Sequence, residues 1–302
     1  MTDLLSMEIA GITFSLRSST QLVLRNISPV YQQFISGPKH ASADDEVEIL
    51  LESAHLPVTG KMRRMFDAEQ AWSLFREGDT YFLELKPPPL QEPLWVVRFN
   101  AGFKSTVIYC GEPSLSRVND RISVLNPLSY PIDQILLMYI LSGRQGALLH
   151  AAGISVCGKG CIFPGRSGAG KSTISRLLLD REGVTMLSDD RIILRKFDSG
   201  FRAFGTPWPG DAGLAENISS RLGGIFFIHH DSENKIRELS PREALNLLMP
   251  VTSIPWYDEK PMSDILKTWE DLVYAVPAYE LYFRPDSSAA VFLEEFLASG
   301  AR

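Results

Sequence analysis

Residues 165–173 read Gly165-Arg166-Ser167-Gly168-Ala169-Gly170-Lys171-Ser172-Thr173, which matches the pattern G-x-x-x-x-G-K-[ST] at every fixed position. Glycines let a backbone curl until several N–H groups point inward at phosphate oxygens, and the helix that follows adds the positive end of its dipole. In this pattern Lys171 reaches the β- and γ-phosphates, and the hydroxyl of Ser172 is a ligand for Mg²⁺. The loop therefore predicts that residues 165–173 bind a nucleoside triphosphate.

The residues on either side of the loop supply the secondary structure that this motif requires. The apolar run 147–156 predicts a buried strand, residues 158–160 a tight turn, and residues 161–163 a second strand that leads into the loop. The amphipathic segment 174–179 predicts a helix directly after it. We therefore expect an α/β domain built around the loop.

The first part of the chain has sequence patterns that are typical of strands. Residues 46–52 alternate polar and apolar side chains, and residues 81–85, 94–99 and 105–109 are rich in aromatic and β-branched side chains, so each predicts a strand. Residues 67–76 allow a short helix. Because the helical pattern 132–140 after Pro131 begins a new region, we predict a β-rich (α+β) domain at 1–125 and a catalytic α/β domain at 126–302.

Two adjacent carboxylates, Asp189 and Asp190, end one apolar segment before another strand begins. Adjacent residues on extended backbone point in opposite directions, so one carboxylate can face Mg²⁺ while the other faces an acceptor hydroxyl and takes its proton. The alternative is a solvated turn between strands. His150, on the strand paired with the one that feeds the loop, is a further candidate, although a lone histidine in an apolar strand is more often a core residue.

Together these segments resemble the catalytic core of the HPr kinase/phosphorylase family, which is related in fold to ATP-dependent phosphoenolpyruvate carboxykinases. The resemblance is carried by Leu149-His150-Ala151-Ala152-Gly153, by residues 158–160, by the loop, and by Ser188-Asp189-Asp190-Arg191. It is close over about residues 130–195. It implies a P-loop kinase domain of that type, ATP and Mg²⁺ as cofactors, and transfer of phosphate to a serine.

Carried over by position, the resemblance implies a role for each candidate residue. Lys171 and the loop backbone hold the phosphates, Ser172 binds Mg²⁺, and His150 lies beside the reacting phosphate. Asp189 becomes the base towards the acceptor hydroxyl and Asp190 a helper near the metal, although the sequence leaves open the exchange of these two roles. Members of the family form hexamers, which leaves homo-oligomerisation open for this chain.

The sequence departs from the family after residue 203. The family's downstream glycine-rich signature is replaced by Phe204-Gly205-Thr206-Pro207-Trp208-Pro209-Gly210-Asp211-Ala212-Gly213. This segment resembles more distant HPr-kinase-like proteins, including kinases of serine in precursor peptides and of free serine. We expect it to be a loop that contacts the acceptor through Thr206 or Asp211, with Trp208 either a lid or packed in the core. The expected acceptor is thus a peptide, a protein or a small molecule.

Composition excludes several other classes of function. The net charge of −6 argues against a general nucleic-acid-binding surface. We find no signal-peptide pattern and no apolar run near the ~18 residues of a membrane span, so we expect a cytoplasmic protein without a membrane partner. Cys110, Cys157 and Cys161 lack the spacing of a metal site and favour buried free thiols. The adjacent His229 and His230 are expected to be solvated.

Two functions remain after these exclusions. The first is an ATP-dependent kinase, and the second is a non-catalytic ATP-binding switch that acts on a partner through the first domain. A GTPase is disfavoured because Glu233-Asn234-Lys235-Ile236-Arg237 lacks the aspartate of the guanine-specificity pattern N-K-x-D.

Overall fold

The computed structural model describes residues 1–35, 45–53, 55–69, 71–118, 121–156, 158–166 and 168–299. Ser167 of the predicted phosphate loop and Cys157 lie outside these ranges. The chain forms two compact units, one of residues 1–140 with 256–258 and the other of residues 141–255 with 259–302. That residues 1–125 work as a separate recognition domain stays a prediction.

The first unit is built mainly from strands. A large sheet has the order β1-β2-β4-β9-β8-β7-β6-β5, and a small one has the order β10-β11-β3. The strands are β1 Thr2–Ile9, β2 Ile12–Ser18, β3 Leu22–Arg25, β4 Glu46–Glu52, β5 Arg63–Asp67, β6 Trp72–Glu77, β7 Thr80–Leu85, β8 Trp95–Asn100, β9 Thr106–Cys110, β10 Leu115–Val118 and β11 Arg121–Leu125. Short 3-10 helices lie at Pro29–Phe34, Thr59–Lys61 and Glu112–Ser114.

The predicted helix at residues 67–76 is wrong. The chain there forms the end of β5 and most of β6, and β6 pairs with β7 so that Trp72 lies opposite Leu85 and Leu74 opposite Leu83. Leu74 and Leu83 are both fully buried. Burial across this strand pair outweighs a weak local helical preference, because strand formation depends on cross-strand partners that a local pattern does not contain.

The second unit contains most of the helices. Helix α1, Ile132–Ser142, crosses the division between the units, and the order after it is β12 Gly146–Val156, β13 Lys159–Pro164, α2 Lys171–Leu179, β14 Val184–Ser188, β15 Arg191–Phe197, β16 Gly200–Phe204, β17 Ser219–His230, β18 Lys235–Glu238, α3 Pro241–Leu248, a 3-10 turn Met249–Val251, α4 Glu259–Ala275, β19 Ala278–Phe283 and α5 Ser287–Ala298. Across the described ranges, no helix has the length and apolar character to cross a membrane. The mixed α/β character predicted from the sequence is confirmed.

The strands of the second unit close into a ring. The sheet runs β13-β12-β15-β16-β17-β19-β18, and β13 also pairs in parallel with β17, so β12, β15, β16, β17 and β13 return on themselves. Strand β14 pairs with β12 beside β15. This arrangement surrounds β12 and β13 with hydrogen-bonded neighbours, which explains why both strands read as continuous apolar runs.

Alternate side chains along β12 pack into two different hydrophobic cores. On β12, Ala147, Leu149 and Ala151 belong to a core that includes residues of α3 and α4, such as Trp269. Residues 152, 154 and 156 of the same strand belong to a second core that includes Ile174 of α2 and residues of α5. Helix α2, which follows the loop, is therefore held by burial on a defined face of the sheet. Cys161 lies in this second core, and burial raises the pKa of its thiol to about 12.

A hydrogen bond connects Trp269 of α4 to Thr252, which lies next to β12. The Trp269 indole Nε1–H donates to Thr252 Oγ1 over 2.7 Å, and the Thr252 hydroxyl donates to Leu248 O over 2.8 Å. Thr252 also forms a bridge with Leu149, one residue before His150. Because Trp269 is fully buried, its N–H has no access to water as a substitute partner.

We predict that Thr252→Val lowers the melting temperature, because it leaves the buried indole N–H unpaired at a cost of about 1–3 kcal/mol. Thr252→Ser keeps the hydroxyl and is the matched control. Thermal unfolding followed by circular dichroism measures both variants. Equal melting temperatures for Thr252→Val and the unmodified protein would contradict the importance of this hydrogen bond.

Candidate functional site

Strand β12 is where the predicted site residues meet. It pairs on one side with β13, Ala151 opposite Pro164, and on the other with β15, His150 opposite Arg191. The N–H of Gly165 donates to His150 O over 3.1 Å, and the N–H of Ala151 donates to Asp190 O over 3.0 Å. The end of β13, where the loop begins, and the bend between β14 and β15 therefore lie on either side of His150.

The glycine loop ends in the first turn of α2. Gly168 and Gly170 have φ angles of 83° and 97°, a left-handed conformation that favours glycine. The N–H groups of Thr173 and Ile174 both donate to Gly170 O, which starts the helix. The positive end of the α2 dipole thus lies at the loop, as anion binding requires.

Lys171 is a buried cation held at the centre of the site. Its Nζ donates to the carbonyl oxygens of Gly165, over 2.8 Å, and of Arg166, over 3.2 Å. The same atom lies 3.0 Å from His150 Nε2. Burial lowers the pKa of Lys171, and the nearby carboxylate of Asp190 opposes that shift. The ammonium is thus held in place by the loop backbone.

His150 stands between Lys171 and Asp190. Its Nε2 is 2.8 Å from Asp190 Oδ1 as well as 3.0 Å from Lys171 Nζ. Burial lowers the pKa of His150, and the Lys171 ammonium lowers it further, so the imidazole is mainly neutral at neutral pH. A neutral imidazole nitrogen either donates or accepts, so Nε2 can donate to Asp190 or accept from Lys171, but not both.

The two aspartates lie on a bend rather than on extended backbone, yet their side chains still diverge. Asp190 is partly exposed and faces His150, with its Oδ2 also 3.5 Å from Arg191 Nε. Asp189 is buried, and its carboxylate accepts hydrogen bonds from the N–H of Gly210, over 2.7 Å, and of Ala212, over 2.9 Å. One carboxylate therefore faces His150, and the other faces the loop after β16.

The segment 205–213 is a loop, as predicted, and it is fixed at several points. A Cβ on Gly205 would lie 2.0 Å from Glu216 O, so this position has no room for a side chain. Thr206 is fully buried and donates to Arg191 O over 2.8 Å, which leaves it away from any acceptor. Trp208 is buried as well, as the core alternative predicts. Of the two polar residues that were predicted to contact the acceptor, Thr206 and Asp211, it is Asp211 that lines the pocket described next.

A pocket of about 230 Å³ lies between the P-loop and this second loop. Its lining residues are Gly168, Gly170, Lys171, Ser172, Thr173, Asp189, Asp190, Gly210, Asp211 and His230. Of the other predicted phosphate-binding residues, Gly165 and Arg166 supply the carbonyl oxygens that hold Lys171, and Ala169 packs beside Gly165. The structure therefore brings together most of the residues that the sequence singled out.

Both His229 and His230 are exposed, as predicted, but sequence reasoning missed that His230 lines the pocket. A Cβ built on Gly170 would lie 2.7 Å from His230 Nε2, so the imidazole ring covers this glycine directly. The sequence carries a weak signal for this position, since a strand places Phe226, Ile228 and His230 on one face. In the structure, Phe226 and Ile228 on that face lie in the core that includes α2. Reading it requires knowledge that β17 pairs with β13, which no local pattern gives.

The residues present fit a magnesium ion that is shared with phosphates better than one held by protein alone. Ser172 and Asp190 both line the pocket. In the described parts of the chain, no cluster of three or more His, Cys, Asp or Glu side chains is set to hold a metal. Mg²⁺ commonly takes only one or two protein ligands and completes its shell with water and substrate phosphates, which agrees with this donor set.

Comparison with known proteins finds a distant structural likeness. No protein-family model and no curated protein matches the chain. Among solved structures, the chain is similar to the Hpr(Ser) kinase/phosphatase from Coxiella burnetii, with 14% identity over 51% of this chain and 95% of that chain, and a TM-score of 0.31. At that TM-score the function has to be argued from the site itself.

We predict that Gly170→Ala lowers the melting temperature more than Gly168→Ala does. Both variants place a Cβ on left-handed backbone, at a cost of about 1–2 kcal/mol, but only the Cβ at 170 meets the His230 ring, since residue 168 has open space around it. Thermal unfolding of both variants measures the difference. In the double variant Gly170→Ala/His230→Ala the extra loss should disappear; a loss that persists would place the clash elsewhere.

Proposed function

We propose that this chain is an ATP-dependent phosphotransferase that transfers the γ-phosphoryl group to a serine-type hydroxyl of a peptide, a protein or a small molecule. The observation that carries the proposal is the convergence in one pocket of Lys171 with both aspartates. A protein that only binds nucleotide needs the loop and its lysine. A transferase also needs a carboxylate near the acceptor, and two are present here.

The phosphate end of the pocket is formed by the loop and α2. Lys171 and the N–H groups at the start of α2 would bind phosphate oxygens, and Ser172 with Asp190 would hold Mg²⁺. Bound Mg²⁺ supplies positive charge that neutralises the phosphates. If phosphate oxygens also take the Lys171 donor that faces His150, His150 Nε2 is left to donate to Asp190. This contact would keep the Asp190 carboxylate in place beside the phosphates.

The acceptor end is formed by Asp189 and the loop 205–213. Each carboxylate oxygen has a second lone pair, so the bonds from Gly210 and Ala212 leave Asp189 able to accept from a substrate hydroxyl. In the proposed reaction the hydroxyl oxygen bonds to the γ-phosphorus as its proton moves to Asp189. The bond between the γ-phosphorus and the bridging oxygen breaks, and ADP leaves.

The second candidate is a non-catalytic ATP switch, and the same contacts of Asp189 favour it. A carboxylate beside the phosphate pocket holds two N–H groups of the second loop, so a bound nucleotide could change the loop's position without any transfer. The two candidates differ in one observable: only the kinase moves label from ATP to an acceptor.

We predict that Lys171→Ala abolishes Mg·ATP binding or weakens it by about a hundredfold or more, because it removes the buried cation that faces the phosphates. Isothermal titration calorimetry measures the affinity. Lys196→Ala, in which a lysine paired with Asp271 on the same sheet is removed, is the control for loss of charge. Unchanged ATP affinity in Lys171→Ala would refute the assignment of the P-loop.

We predict that Asp189→Asn keeps Mg·ATP binding but lowers phosphoryl transfer by about a hundredfold or more, the usual scale for a general base. The assay uses γ-labelled ATP with free serine, an HPr-type protein and serine-containing peptides as acceptors. Asp198→Asn, on an exposed turn, makes the same change of charge away from the site.

The result for Asp190→Asn decides the assignment of the two aspartates. If Asp190→Asn loses transfer and Asp189→Asn does not, the roles of base and metal helper are exchanged. If the unmodified protein labels no acceptor while it binds Mg·ATP tightly, the kinase proposal fails and the switch is favoured.

A further inference from the structure

The end of β17 carries a histidine onto the face of the sheet that packs against α2. Phe226 and Ile228 lie in the core that includes α2, and His230 is the next residue in the same alternation. Strand β17 runs parallel to β13, with Ile225 opposite Ile162. Because the carboxyl ends of parallel strands meet at one edge, His230 ends at the edge where the phosphate loop begins.

The imidazole of His230 is placed over the loop and is open to the pocket. Its Nε2 lies 2.7 Å from where a Cβ on Gly170 would be, and its ring packs at 4.8 Å against Phe283. Within the described residues, neither ring nitrogen of His230 has a hydrogen-bonding partner. Phe283 packs against one side of an otherwise exposed ring, and the ring lines the pocket beside the loop.

The neighbouring histidine is a natural contrast. The ring of His229 stacks at 4.9 Å on Tyr282, and its Nε2 lies 3.5 Å from Glu280 Oε1. It points to the opposite face of the strand from His230 and does not line the pocket. Two adjacent residues of one type therefore have different surroundings, and of the two it is His230 that lines the pocket.

The charges around the pocket show why a further donor is useful. Asp189, Asp190 and Asp211 all line it, and Lys171 is the one lysine or arginine among the described residues that line it. A triphosphate would bring several negative charges towards these carboxylates, and like charges at close range repel. A donor beside Gly170 would attract the phosphates towards the loop.

We propose that His230 is a phosphate-binding residue of this site, and that its Nε2–H donates a hydrogen bond to a phosphate oxygen of the nucleotide held by the loop. The inference rests on the proposed function, since it requires that the loop bind a nucleoside triphosphate. It adds a residue from a strand distant in sequence to a set that otherwise comes from the loop, α2 and the aspartate bend.

The test compares the affinities of the unmodified protein and three variants for two probes, Mg·ATP and magnesium tripolyphosphate. We expect His230→Ala to weaken both by a similar factor of about tenfold to a hundredfold, as for the loss of a hydrogen bond to a charged group. His230→Gln keeps an N–H donor near the position of Nε2 and should restore most of the affinity. His229→Ala should bind like the unmodified protein.

The outcomes separate this inference from the function on which it rests. Unchanged affinities in His230→Ala, with normal binding by the unmodified protein, overturn the role of His230 and leave the proposed function standing. Weaker binding of Mg·ATP alone, with tripolyphosphate unaffected, also overturns it, because the contact would then be to the nucleoside. If the unmodified protein binds neither probe, the phosphate site itself is absent and both proposals fail.

Discussion

The two hydrogen-bonded edges of β12 are the constraint on which the site depends. On one edge the register places Ala151 opposite Pro164, which starts the phosphate loop beside His150, and on the other it places His150 opposite Arg191, directly after the aspartates. A slip of one residue in either ladder would turn His150 to the opposite face of the sheet. The two cores on either side of β12 oppose such a slip, because it would exchange their buried side chains.

Asp189 connects the chemistry of the pocket to the structure around it. A buried carboxylate is costly unless its charge is compensated, and here the compensation comes from the N–H groups of Gly210 and Ala212. The same bonds hold the second loop against the aspartate bend. Asp189 therefore both orders this loop and lines the pocket, so a substitution there changes the hydrogen bonds of the loop as well as the charge of the pocket.

The sequence predicts those helices, strands and loops that a local pattern of residues determines. Residues close together in the chain predict the glycine loop, the helix after it and the loop at 205–213. They also predict strands β12 and β13 on either side of the turn at 158–160. The features that the sequence could not predict depend on residues distant in the chain. Strand β6 forms within residues 67–76, where a helix was expected, because it pairs with β7. His230 lies beside Gly170 because β17 pairs with β13. The directions of Asp189 and Asp190 belong to the same class, since each is set by a hydrogen-bonding partner outside its own segment.

The contacts of Lys171 bear on how strongly such a site can bind phosphate. Its ammonium donates to two loop carbonyls, so phosphate oxygens have to replace existing hydrogen bonds rather than satisfy a free cation. Exchange of one partner for another gains less than the formation of a new bond, even when the new acceptor is charged. Donors that have no partner of their own within the described residues then add to the affinity that Lys171 supplies. The imidazole of His230 is of this kind, and it lies beside Gly170 of the loop.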